Sequence, residues 1–226
     1  MRFRPANHRE SCDKPDVISD IVAIAGWIGL VAFAVSGALV ASRKQMDITA
    51  FVFFGTVTAI GGGTMRDLVL DLPVFWVKDT TALIVAAIAS ALTFFVAHLP
   101  ESRLRLLLWL DALGMAVFCV VGAAAGLDHG GVVAVTCGVM TAVVGGFIRD
   151  MMGAEEAAIM RGEIYASASF LGALTFVILQ GFVARDVAVV AGTLAAFALR
   201  GAALAFGWRL PVYRAKRGRS REEIGL

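Results

Sequence analysis

The sequence predicts an all-α membrane protein of seven transmembrane helices. They form two inverted three-helix repeats plus a seventh helix, with the N-terminus outside and the C-terminus cytosolic. Three observations predict this. The 226-residue chain is 59% hydrophobic and only 17% charged, against roughly a quarter charged in ordinary soluble domains. Its apolar residues gather in runs of about 20, enough to cross a ~30 Å hydrocarbon core as a helix. A charged, glycine-rich segment also occurs twice inside those runs, as Gly61-Gly62-Gly63-Thr64-Met65-Arg66-Asp67 and as Gly145-Gly146-Phe147-Ile148-Arg149-Asp150.

Residues 1–20 are polar and mixed in charge and read as a tail. The run 21–42 is too long for a signal-peptide core and is kept as the first span. Further spans are expected at 48–71, 80–99, 107–127, 130–152, 164–182 and 187–208, separated by polar or Gly/Pro punctuation. Because lipid offers no hydrogen bonds to the backbone, runs this long read as helices, not barrel strands. A basic tail, 209–226, closes the chain.

The Arg-Asp pairs lie 83 positions apart, and Gly55 and Thr58 are answered by Gly138 and Thr141 at the same offset. Gly29–Ala38 in the first span aligns with Gly114–Ala123 in the fourth at an offset of 85. Repeat one is therefore 21–99, repeat two 100–182, and 183–208 holds the seventh helix. Three spans per unit is an odd number, so the second copy enters the membrane from the opposite side. The basic residues then fall mostly on one side, with Arg43, Lys44, Arg103, Arg105, Arg161 and the tail cluster against Lys78 and Arg185. Positive-inside bias puts the C-terminus in the cytosol.

Several function classes are excluded. A net charge of +2 gives no argument for a nucleic-acid partner, and Cys12, Cys119 and Cys137 have neither disulfide nor metal spacing. They read as packing residues. There is no phosphate loop and no nucleophile with a spaced base. No enzyme, cofactor or resident metal is expected, only a transient permeant cation.

The candidate site is the repeated segment. Counted from Ile48 at ~1.5 Å per residue, Gly61 lies about 20 Å along its helix and Arg66 about 27 Å. A charge at the centre of such a helix costs roughly 2.5–3.5 kcal/mol. Arg66 and Asp67, like Arg149 and Asp150, point about 100° apart on a helix and are not expected to satisfy one another by adjacency. Each needs a partner elsewhere or water, unless the pairs snorkel to the interface.

Glycines carry two expectations. Those repeating at four-residue spacing suit close helix packing, assigned here to Gly37, Gly55, Gly122, Gly126 and Gly138. Consecutive Gly61, Gly62 and Gly63 cost about 1 kcal/mol each relative to alanine and invite unwinding, with Gly145 and Gly146 as their counterparts. Carbonyls exposed by such a break can replace the hydration shell of a cation. Thr58, Thr64 and Thr141 could add hydroxyls, although threonine in a helix also bonds back to its own backbone. Among the remaining polar residues, Asp111 reads as a helix cap, Arg200 requires an acidic or carbonyl partner, and Glu155-Glu156 reads as a solvated loop.

The twice-occurring Gly-Gly-x-x-Arg-Asp core, set in two three-helix repeats plus one helix, resembles the prokaryotic branch of the trimeric intracellular cation (TRIC) channels over residues 20–208. The resemblance implies a homotrimer in a bacterial inner membrane, surrounded by membrane lipids, with one pore per protomer. Potassium is the foremost permeant ion, with sodium as a second candidate. Some bacterial relatives are regarded as glycine transporters, and the inverted repeat serves alternating access equally well. The alternative reading is therefore secondary transport of glycine or a similar small amino acid. An arginine facing a pore repels cations, so Arg66 and Arg149 suit a gate or a carboxylate site better than a selectivity ring.

Overall fold

The computed structural model describes residues 20–100, 102–160 and 162–211. The 1–19 tail, Arg161 and the basic residues beyond position 211 lie outside the described residues. Helix α1 spans Asp20–Arg43, α2 Ile48–Val69, α3 Phe75–Lys78 and α4 Thr81–Val96. They are followed by α5 Arg103–Ala125, a short 3-10 turn at Leu127–His129, α6 Gly131–Met152, α7 Ala166–Leu179 and α8 Arg185–Phe206.

Local chemistry sets the helix ends. Asp47 accepts the Ala50 amide at 2.8 Å and Ser102 accepts the Arg105 amide at 3.2 Å, each satisfying an orphan donor of a first turn. Gly207, at φ 70°, takes the left-handed conformation that ends α8.

Among the described residues, five helices are long and apolar enough to cross a membrane: α1, α2, α5, α6 and α8. Large apolar side chains stay exposed on the periphery, including Phe53, Leu92, Phe95 and Leu194. Exposure on this scale suits lipid and not water. The chain is an integral, multi-pass, all-α membrane protein.

The third span of each repeat is shorter than expected. Instead of 80–99 and 164–182, α4 has 16 residues and α7 has 14, or about 24 and 21 Å of helix at ~1.5 Å per residue. Pro100 disfavours helix in the residue before it, and turns already occupy Ala97–Leu99. The α6–α7 connection runs as turns and a β-bridge up to Tyr165.

Inversion of the repeats is visible in side-chain contacts. Arg103, which begins α5, reaches the Ser42 carbonyl near the end of α1. Phe118, late in α5, lines the same cavity as Ala23 and Trp27 of early α1. The equivalent helices α1 and α5 therefore run antiparallel, and they meet through Phe33 and Phe118, edge to face with ring centroids 5.1 Å apart. These rings are themselves equivalent at the 85-residue offset. Around them Met115, Ala116, Cys119, Val120 and Ala123 of α5 and Ala34 of α1 form the core. Cys119 and Cys137 are both buried free thiols.

Candidate functional site

The glycine segments do not break their helices. Helix α2 runs without interruption through Gly61, Gly62 and Gly63, and α6 through Gly145 and Gly146. The expectation of unwinding is corrected, for a packing reason. A Cβ on Gly62 would strike the Thr141 carbonyl oxygen, and one on Gly145 would sit 2.5 Å from the Thr58 carbonyl oxygen. Gly62 and Gly145 are equivalent at offset 83, as are Thr58 and Thr141. The missing side chains let α2 and α6 cross backbone to backbone, a contact only glycine permits.

The same reciprocity holds around this seam. A Cβ on Gly37 would lie 2.5 Å from the Thr58 hydroxyl, and one on Gly122 would strike that of Thr141. Gly55 faces Ser90 and Gly138 faces Ala173 and the Cys119 carbonyl, while Gly126 sits against the Ala134 Cα. Gly61 and Gly146 are looser, with 3.1 Å to the tip of Ile148 and 2.8 Å to the Tyr165 hydroxyl.

Each threonine donates to its own helix. Thr58 donates to the Phe54 carbonyl at 2.6 Å, Thr141 to that of Cys137 at 2.7 Å and Thr64 to that of Ile60 at 2.8 Å. Thr64 also accepts the Trp76 indole N–H at 2.9 Å.

Neighbouring arginine and aspartate do satisfy one another, contrary to expectation. Arg66 donates through Nε at 2.8 Å and Nη2 at 2.7 Å to Asp67 Oδ1. Arg149 repeats the geometry on Asp150 Oδ1, with Nε at 2.8 Å and Nη2 at 2.7 Å. The 100° between neighbouring positions separates the Cβ directions, but a flexible arginine stem is long enough to bring its guanidinium back. The other carboxylate oxygen holds the chain eight residues on, at the Phe75 amide (2.9 Å) and the Ala158 amide (3.3 Å). Each Arg-Asp pair thus fastens the connection that follows its helix.

The two ends differ beyond that point. In the second repeat, Arg149 Nη1 donates to Asp111 Oδ1 at 2.6 Å and to the Ser36 hydroxyl at 3.2 Å. The Tyr165 hydroxyl donates to Asp111 Oδ1 at 3.4 Å. Arg149, Asp150, Asp111, Ser36 and Tyr165 are all buried. Asp111 is the ninth residue of α5 and does not cap it, because Ser102 starts that helix earlier than the apolar run suggests. In the first repeat, Arg66 faces a half-open cavity of about 210 Å³ bordered by Gly26, Trp27, Phe75, Phe118 and Thr141.

The cluster extends to α8. Arg200, buried, pairs with Glu163 at 2.6 Å and lies 5.1 Å from the Tyr165 ring centroid, which supplies the acidic partner its position required. The backbones of Glu163 and Arg209 form an isolated antiparallel β-bridge, and the Leu210 amide donates to the Gly162 carbonyl at 2.7 Å. Glu155 is not simply solvated, since it pairs with Arg43 at 2.9 Å.

Sequence reasoning missed Ser36 and Tyr165 as arginine-cluster members and missed helix α3 altogether. A signal existed for Asp111, which the 85-residue offset sets against Gly26. A buried acid answered by a glycine marks a place where the two halves do different work.

A family model described as "Glycine transporter" matches residues 23–98 and 108–181. The chain is 40% identical over 195 residues to the UPF0126 inner membrane protein YadS of Escherichia coli (strain K12), covering 82% of this chain and 93% of that one. It is 35% identical over 204 residues to a UPF0126 membrane protein of Vibrio cholerae, covering 86% and 84%. Among solved structures it is similar to the TRIC trimeric intracellular cation channel orthologue from Rhodobacter sphaeroides. That match has a TM-score of 0.80 and 48% identity, over 83% of this chain and 99% of that one. A second TRIC cation channel structure matches with a TM-score of 0.77 and 32% identity, over 87% and 98%.

Proposed function

This chain belongs to the TRIC family, whose membrane domain the glycine-transporter model describes, and from that membership we propose that it is a monovalent cation channel conducting chiefly potassium. Each protomer of a homotrimer carries its own pore. Seven helices cross the bacterial inner membrane in this reading, the short α4 and α7 included, with the N-terminus outside and the C-terminus in the cytosol. The pore follows the α2–α6 seam, and the two Arg-Asp clusters gate its ends.

The observation that carries the reading is the difference between those ends. A cavity of about 210 Å³ leads from Arg66 to Thr141 at the seam, whereas the Arg149 cluster plugs the far side with buried side chains. This arrangement suits a pore closed at one end. Two aspartates around one arginine leave a formal charge of −1 at the plug, so the arginine there does not repel a cation. Thr58 and Thr141 spend their protons on their own helices, which leaves oxygen lone pairs for a partly dehydrated ion.

Recording from the purified protein in a planar bilayer under a potassium chloride gradient tests the proposal. Unitary steps reversing near the potassium equilibrium potential are expected. Silence together with saturable glycine uptake into liposomes would replace it with secondary transport of a small amino acid, the reading that the family description favours.

A further inference from the structure

We propose that the Arg66 cavity is a binding site for a small organic monocarboxylate, seated on Arg66 Nη1 where Asp111 sits on Arg149 in the other half. The second repeat supplies the template. Both arginines spend Nε and Nη2 on the neighbouring aspartate. Arg149 Nη1 then takes the Asp111 carboxylate and the Ser36 hydroxyl, whereas Arg66 Nη1 has no partner among the described residues.

The offsets explain what is missing. Asp111 corresponds to Gly26 and Ser36 to Val121 at offset 85, and Tyr165 corresponds to Ala82 at offset 83. Carboxylate, hydroxyl and phenol are thus replaced by hydrogen, isopropyl and methyl. Gly26, Ala82 and Val121 all border the Arg66 cavity, so the void occupies the place that Asp111 and Tyr165 fill in the other half. An arginine fork left one carboxylate short favours a carboxylate ligand.

The walls choose among carboxylates. Trp27, Leu30, Phe75 and Phe118 give the ligand's body apolar surface. Asp67, the neighbouring acid, is already held by Arg66 and the Phe75 amide, so an ammonium finds no free countercharge. The site therefore suits an aliphatic acid such as propionate better than a zwitterion. This inference goes beyond conduction and does not depend on it.

The test is calorimetric titration of the purified full-length protein in detergent with sodium propionate, against glycine and sodium chloride at matched ionic strength. Saturable propionate binding is expected, with glycine weaker by about tenfold, equivalent to ~1.4 kcal/mol. Gly26→Asp writes the missing carboxylate into the chain, and a Cβ there meets nothing within 4 Å. It should lower propionate affinity by about tenfold or more, whereas Gly26→Ala should hold it within about threefold, a difference under ~0.7 kcal/mol. Arg66→Gln should abolish binding, with its melting temperature reporting whether it folds. Absence of saturable propionate binding in the parent protein, glycine binding as tightly as propionate, or equal affinity in the Gly26→Asp and Gly26→Ala variants would each overturn the proposal.

Discussion

Arg149 Nη1 on α6 and Asp111 Oδ1 on α5 are 2.6 Å apart, 38 positions distant in the chain and both buried. This contact ties the second repeat's first helix to its charged helix, and Ser36 draws the first repeat into the same knot. Removing the Asp111 charge leaves Arg149 still neutralised by Asp150, so the loss is that of one buried charge-assisted hydrogen bond, about 1.5–3 kcal/mol. Asp111→Asn keeps the shape and removes the charge. A lower melting temperature in detergent and a higher open probability in bilayers are expected. Unaltered values of both would take the contact out of the proposed gate.

Adjacent glycines in α2 should respond in opposite ways. Gly62→Ala drives a methyl into the Thr141 carbonyl, which is backbone and cannot step aside. Overpacking of this kind costs about 1–3 kcal/mol. Gly61→Ala places its methyl 3.1 Å from the tip of a flexible isoleucine and gains up to about 1 kcal/mol of helix propensity. Thermal unfolding of the two variants side by side checks the contrast, and Gly145→Ala should behave like Gly62→Ala.

Thr141→Val tests the hydroxyl lining separately from stability. The hydroxyl already bonds within its own helix, so its removal should change stability by no more than about 1 kcal/mol. Unitary potassium conductance should fall if the ion passes this residue, which borders the cavity. A folded variant with the parent conductance would exclude Thr141 from the ion's path.

Glu163 neutralises a cation buried in α8. Glu163→Gln leaves Arg200, at 1% exposure, without its carboxylate and should cost about 3 kcal/mol or more. The double variant Glu163→Gln with Arg200→Met should recover much of that loss. A double-mutant cycle by chemical denaturation reads the coupling, and simple additivity of the two changes would argue against it.

Much of the architecture was legible because membrane helices announce themselves by length and because duplication left two matching charged motifs. The ends of α4 and α7 were not, since an apolar run extends past the point where Pro100 and the α6–α7 connection stop the helix. Gly61, Gly62 and Gly63 drew attention correctly and interpretation wrongly. Propensity alone argues for unwinding, yet the backbone of a crossing helix, invisible to local sequence, holds them helical. The Arg66–Asp67 contact is hidden for a related reason, because the Cβ directions of neighbouring residues do not set the reach of a long side chain. Asp111 was readable only by comparing the halves for differences instead of likenesses.

A duplicated chain is ordinarily free to let its copies drift apart. Along the crossing of α2 and α6 that freedom is gone, because each half rests on the other's main chain: Gly62 on Thr141 and Gly145 on Thr58. Enlarging either glycine harms both copies at once, so the seam descends as one unit although it is written twice. Away from the seam no such mutual veto operates. Gly26 meets nothing where Asp111 meets an arginine, and the two inherited halves have there become different instruments.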